Sequence, residues 1–183
     1  MNDAHGQSQY QVRFDWGTAG AQAIGTDVDV IVLVDVLPSA PDPLLSDSLP
    51  VGPIVVAGDL RSRDALAKWV LARQDEKSDR FTVALIAVGA ERDDGSGRFA
   101  IEDQLAAGAI ITALADVGID YCSPEAAVAA ASYTGLRGAI SHLITASASG
   151  RELTAAGQSE VVRSAVRGEP TPLTMVREFG QHS

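Results

Sequence analysis

The chain has 183 residues, 46% of them hydrophobic, enough to bury one core and the usual size of a single domain. Its 14 Lys and Arg stand against 24 Asp and Glu, and the net charge of −10 repels nucleic acid and anionic membranes, so neither is expected as a partner. Small anions stay open, because a few arginines or a bound cation reverse the sign locally. Cys122 is the only cysteine and cannot close an internal disulfide, no Cys/His spacing resembles a zinc site, and residues 1–6 are polar rather than the apolar core of a signal segment. The expectation is one cytoplasmic domain over residues 1–183 with no membrane span and no internal repeat.

Along residues 10–16, Tyr10, Val12, Phe14 and Trp16 alternate with Gln11, Arg13 and Asp15, the period of an outer strand buried on one face. Residues 28–36 are almost continuously apolar and β-branched, which predicts a strand covered on both faces in the middle of an α/β sheet. Residues 38–53 contain Pro38, Pro41, Pro43, Pro50 and Pro53 and read as a long surface connection. A short strand over 54–57 then turns through Gly58 and Asp59 into a helix capped by Ser62, with Leu66, Trp69, Val70 and Arg73 at helical spacing. Residues 81–88 predict a second buried strand and 91–98 a loop. Residues 102–117 are so rich in Ala, Ile and Leu that the helix they predict must pack on more than one side. Ser123, Pro124 and Glu125 have the residue types of a helix start, with a capping hydroxyl, a proline in the first turn and a carboxylate at the positive end. Helices are expected from there to the end, apart from a turn at Pro170 to Pro172.

Two places carry residues suited to chemistry. Asp35 closes a strongly apolar strand, and open α/β sheets place their ligands at the carboxyl ends of strands; alternatively it marks where the strand re-enters water. A haloacid-dehalogenase-type phosphatase would need a second Asp two residues on, where Leu37 stands. The segment 89–108 combines glycines that allow tight turns, carboxylates that offer hard oxygen ligands, and Arg92 and Arg98, which suit an anion, before Glu102 and Asp103 open a helix. Read residue by residue, it is also a solvated loop followed by acids favoured in a first turn. No Gly-Lys-Ser/Thr ending and no Gly-x-Gly-x-x-Gly follows a strand, the histidines His5, His142 and His182 are scattered, and no serine sits in a Gly-x-Ser-x-Gly elbow. The run Ser147-Ala148-Ser149-Gly150-Arg151 reads as a small-residue turn delivering an arginine.

Taken in order, Phe14-Asp15-Trp16-Gly17, the strand end Val34-Asp35-Val36-Leu37, the block 89–108 with Glu102-Asp103, Ser123-Pro124-Glu125-Ala126 and Ser149-Gly150-Arg151-Glu152-Leu153 resemble the 2-phosphosulfolactate phosphatase family, in its actinobacterial-type members. The resemblance is weak over the first forty residues and strong over 81–166. It implies a three-layer α/β/α fold with a mixed, mostly parallel sheet, and a magnesium-dependent phosphatase acting on a small acid that carries phosphate, sulfonate and carboxylate. The chain departs from the family pattern after Leu37, where it continues Pro38-Ser39-Ala40-Pro41 in place of a hydroxyl-rich stretch. It also lacks an Asn-Ser-Pro-like element and an Asn-Gly-Thr/Ser loop, and has Arg61-Ser62-Arg63 where relatives show Arg-Asn-Ala.

Three readings follow. In the first, the chain is a Mg2+-dependent phosphomonoesterase in which Asp35, Glu102 and Asp103 hold or orient the metal and a water while Arg92 and Arg151 meet the anionic phosphorylated substrate. In the second, the fold persists without catalysis as a small-anion binder or assembly subunit. In the third, the Ala-rich helix over 104–114 mediates self-association into a homo-oligomer, though core burial accounts for it equally well.

Overall fold

The computed structural model describes residues 4–37, 49–92 and 97–178. Four parallel strands make up most of a five-stranded sheet: β1 (Val12–Trp16), β2 (Val30–Val34), β3 (Ile54–Gly58) and β4 (Val83–Ala87), in the order β1-β4-β2-β3-β7. β7 (Thr174–Arg177) adds antiparallel to β3, so the sheet is mixed and mostly parallel. β2 lies in the middle, and every residue in it is buried, because Val30, Val32 and Val34 face one apolar cluster while Ile31 and Leu33 face the other. That two-sided burial is the physical reason its sequence shows no alternation. β4 repeats the pattern, with Val83, Leu85 and Ala87 on one side and Ala84 and Ile86 on the other.

The two faces are covered unequally. α1 (Gly17–Ile24) lays Ala21 and Ile24 on the Ile31 face, together with Leu49. The Val32 face receives α2 (Arg63–Lys77), α3 (Ile101–Asp116) and α4 (Pro124–Leu136), while α5 (Ile140–Ala146) and α7 (Ser159–Arg167) contribute Ile144 and Val162 to the same core. α6 (Ala148–Ala155) packs on α5 and α7. The architecture is a three-layer α/β/α fold, as the family resemblance implies.

Several local expectations change. Arg13 and Gln11 occupy the polar positions of an alternating strand, yet both are buried: Arg13 donates to the carbonyls of Ser8, Tyr10 and Ile24, and Gln11 to that of Phe81. The residues before β1 and the end of α1 wrap over that side of the edge strand and supply acceptors for the donors it brings inside. The ends of the expected loop 91–98 are paired, since β5 (Ala90–Glu91) and β6 (Gly97–Arg98) form a small antiparallel hairpin. The run from Ser147 is helical: Ser147 caps α6, its hydroxyl accepting from the Gly150 N–H at 3.1 Å. The chain does not stay helical to its end, because β7 follows the proline turn. Of the proline-rich connection, residues 38–48 lie outside the described residues.

Ser123 caps α4 with its side chain, accepting from the Ala126 N–H at 3.1 Å, with Pro124 in the first turn. Ser62 stands at the start of α2 but turns its hydroxyl back to accept from the Asp59 N–H at 2.9 Å. The Asp59 carboxylate in turn accepts from the N–H groups of Arg61 and Ser62 at 2.9 and 2.7 Å, so the β3–α2 turn closes on itself.

Candidate functional site

The pairing register of the four parallel strands makes their carboxyl ends level: Trp16 lies opposite Ala87, Ala87 opposite Val34, and Val34 opposite Gly58. One rim of the sheet therefore carries Gly17, Val88, Asp35 and Asp59 as the first residues after each strand. Parallel strands leave backbone N–H and C=O groups unpaired at such a rim, which is why ligands bind there in open α/β sheets.

The first turn of α3 is placed against this rim. Asp103 is almost wholly buried, and its carboxylate accepts from two backbone groups on adjacent strand ends: Oδ1 from the Val36 N–H and Oδ2 from the Gly89 N–H, each at 2.9 Å. Gly89 adopts φ +75°, and a Cβ there would stand 2.7 Å from the Arg98 carbonyl oxygen, so only glycine turns the chain here from β4 into the hairpin. Burial pushes the Asp103 carboxyl well above its ordinary value. The Val36 and Gly89 N–H groups oppose that shift, whereas the nearby carboxylates of Asp35 and Glu102 add to it. Asp35 is half-buried and lies next to the residue that Asp103 holds. Three carboxylates thus share one neighbourhood at the end of the central strand.

Glu102 is 2% exposed, and its Oε2 is buried without a hydrogen-bond partner. A buried carboxylate oxygen without a donor is costly and marks a place where a cation or a donor group is wanted. The donor set is all oxygen, the kind that a hard divalent ion takes, and Mg2+ is bound through one or two carboxylates together with waters and substrate phosphate. Among the described residues, no three of His, Cys, Asp and Glu converge closely enough to hold a metal by themselves. Asp35 and Glu102 fit as donors in that limited sense. Asp103 is already engaged by two N–H groups and acts as the clamp that sets the other two in place.

Of the two arginines expected at the site, one follows β5 and the other lies on α6. Arg92 follows β5, is exposed, and donates to the Gly97 carbonyl of β6. Arg151 is exposed on α6, and no hydrogen bond or ion pair joins it to Asp35, Glu102 or Asp103 among the described residues. Residues 93–96, which complete the glycine-broken acidic segment, lie outside the described residues. The contributions of the Val36 and Gly89 amides were not legible in sequence, because a backbone donor has no residue type; the sole pointer was the glycine directly after a buried strand.

The family model for 2-phosphosulpholactate phosphatase matches residues 47–176, which is most of the chain. The chain belongs to the 2-phosphosulpholactate phosphatase family. No curated protein matches it closely enough to be counted as a relative. The matched range of this phosphatase family takes in β3, β4, the Gly89 turn, the hairpin, the whole of α3 and the capped start of α4, but begins after Asp35. Membership therefore covers Glu102 and Asp103 directly, while Asp35 enters through its position beside them in the fold. No helix among the described residues is long and apolar enough to cross a membrane.

Proposed function

We propose that the chain is a magnesium-dependent phosphomonoester hydrolase acting on a small phosphorylated acid, with the carboxyl rim of β2 and β4 and the first turn of α3 as its active site. The observation that carries this reading is the Asp103 clamp, which brings Asp35 and the unpartnered Oε2 of Glu102 to the rim in a chain of phosphatase-family sequence. A bound Mg2+ would supply charge neutralisation at phosphoryl oxygens and acidify a coordinated water. The chain's part is to hold that ion through Asp35 and Glu102 and to keep both carboxylates oriented through Asp103. In this reading Asp35 would also orient the attacking water, and the positive end of α3 favours an anion at the same point. The location that goes with this reading is the cytoplasm, and its ligand is a small anion rather than nucleic acid or membrane.

Purified protein assayed against a panel of phosphorylated small acids should release phosphate with Mg2+ and not in EDTA. Asp35→Asn and Glu102→Gln should each lower turnover by about 100-fold or more, the scale of a lost proton-transfer or charge-stabilising group, with unfolding curves near wild type. Full activity in both variants would exclude these assignments.

A second reading has its own observation. Asp103 has both oxygens occupied by main-chain donors, which suits a family member that keeps the fold and binds a small anion without turning it over. Saturable binding of a phosphorylated acid with no phosphate release at any Mg2+ concentration would select it.

A homo-oligomer also belongs to the proposal, though not through the helix first considered for it. Residues 104–114 are spent on the chain's own core, whereas Phe99, Val128 and Leu136 are 56%, 63% and 39% exposed around an apolar cleft of about 570 Å³ floored by Phe14 and Trp16. A mass in solution that stays monomeric over a hundred-fold range of about 1–100 μM would reject self-association there.

A further inference from the structure

In a chain of net charge −10, four of the 14 basic residues gather around one cleft of about 490 Å³. Arg61 comes from the β3–α2 turn, Arg63 from the first turn of α2, Arg137 from the 3-10 turn that follows α4, and Arg167 from the last turn of α7. Asp64 is the only acid among the described lining residues, so the lining is net positive by three charges where the molecule as a whole is strongly negative. Asp35, Glu102 and Asp103 do not line it.

The cleft has features of a built site rather than a chance meeting of surface charge. Arg61 is held from below, its guanidinium 3.3 Å from the Asp59 carboxylate that also closes the β3–α2 turn. Its side chain lies across Gly168, where a Cβ would stand 2.6 Å from Nη1 and 2.8 Å from Cδ, so the exit from α7 is glycine where the arginine passes. The Thr171 N–H then donates to the Arg61 carbonyl at 3.3 Å, fixing the outgoing chain to the same residue. Arg63 contacts Asp64 at 3.4 Å. Arg137 and Arg167 make no ion pair with any described residue, and both are exposed to the cleft. Guanidinium groups brought together from three separate segments repel one another unless an anion lies between them. Their planar forks suit the several oxygens of a phosphate better than a single charge would. The cleft's volume is that of a small-molecule site.

We propose that this cleft, whose lining includes none of Asp35, Glu102 and Asp103, binds a small polyanion of the phosphate class. The proposal does not depend on the chain being a phosphatase. Pyrophosphate, titrated calorimetrically into the full chain without metal, is the probe. It should bind saturably and more weakly as NaCl is raised, and an R137A/R167A double variant should weaken it by about ten-fold or more, the effect of losing two charge-assisted contacts. Both side chains are exposed, so the variant should keep the wild-type circular dichroism and melting temperature in the absence of ligand. Arg73→Ala, at an arginine of α2 that does not line the cleft, and Asp35→Asn should leave the affinity within about two-fold. Absence of binding up to about 10 mM, a weak-affinity ceiling, would overturn the proposal, as would an affinity unchanged in the double variant or altered beyond that two-fold range in Asp35→Asn. The last outcome would move the anion to the rim and leave the phosphatase reading intact, so the two proposals fail separately.

Discussion

Asp103 and Asp29 act at opposite ends of the same sheet, and both use a carboxylate where strand pairing ends. Asp103 joins the carboxyl ends of β2 and β4 through two main-chain N–H groups. Asp29, just before β2, accepts from the Thr82 N–H at 2.7 Å, from the Thr82 hydroxyl at 2.8 Å, and from the Lys77 ammonium at 2.8 and 2.9 Å, tying the start of β4 and the end of α2 to the central strand. Removing Asp103 leaves two N–H groups without their acceptor, so Asp103→Ala should cost about 2–4 kcal/mol in urea unfolding, a buried donor being worth roughly 1–3 kcal/mol each. A variant as stable as wild type would mean that water replaces the carboxylate. For Asp29, burial alone would raise the pKa, but the Lys77 and Thr82 donors together outweigh it and the net shift is downward. A lowered folded-state value means that the stabilisation is present above the unfolded carboxylate pKa and is lost as pH falls through the folded one. Asp29→Asn should therefore cost about 1–2 kcal/mol at neutral pH and flatten the fall of the melting temperature below about pH 4. A parallel acid limb in wild type and variant would refute the sign. Of these groups, the Glu102-Asp103 pair was legible as two acids in a helix's first turn. Their division into one clamp and one unpartnered carboxylate was not, because helical phase puts adjacent residues about 100° apart and only the sheet decides which of them meets the strand ends.

At the scale of elements, α3 decides the fold's geometry. Its residues from Glu102 to Ile111 are all buried, since it runs between the sheet and α4 with α2 at its side. The sequence announced this through an apolar helix with no polar stripe. Close packing against α4 rests on Gly108, where a Cβ would come within 2.1 Å of the Ala129 carbonyl oxygen. Gly108→Ala gains helix propensity worth about 1 kcal/mol, but the overlap is with backbone and cannot be relieved by a rotamer. The net result should be destabilisation by about 1–3 kcal/mol, read as a lower urea midpoint, and tilting of α4. A stabilised variant would show that the two helices can separate without cost. The elements missed in sequence share one cause. β7 and the hairpin β5–β6 are short and carry no apolar period, so what makes them strands is the partner they pair with: β3 for β7, where Arg177 also donates to the Pro50 carbonyl, and each other for the hairpin.

For the whole molecule, the rim and the arginine cleft lie on elements that the sheet is able to hold without a cation. The Asp103 clamp is complete in main-chain donors, and the β3–α2 turn closes through Asp59 and Ser62. EDTA should accordingly abolish phosphate release while moving the melting temperature by less than about 3 °C, the equivalent of roughly 1 kcal/mol at this chain length. Collapse of the fold on chelation would instead make the ion structural. The α/β class, the central place of β2, the interior role of α3 and the capped start of α4 are all legible in sequence, because each depends on patterns within ten or so neighbouring residues: unbroken β-branched runs, an all-round apolar helix, a Ser-Pro-Glu start. The sequence also marked Asp35 and Glu102-Asp103 as residues at element ends. Tertiary structure alone decided that Asp35 stands by Asp103 across 68 positions of chain, that Arg13 is inside, that Arg92 donates to the Gly97 carbonyl, and that Arg61, Arg63, Arg137 and Arg167 share a cleft. Those pairings follow from strand order and register, which are set by long-range contacts between faces, and a side chain's sequence neighbours carry no record of what will lie across from it.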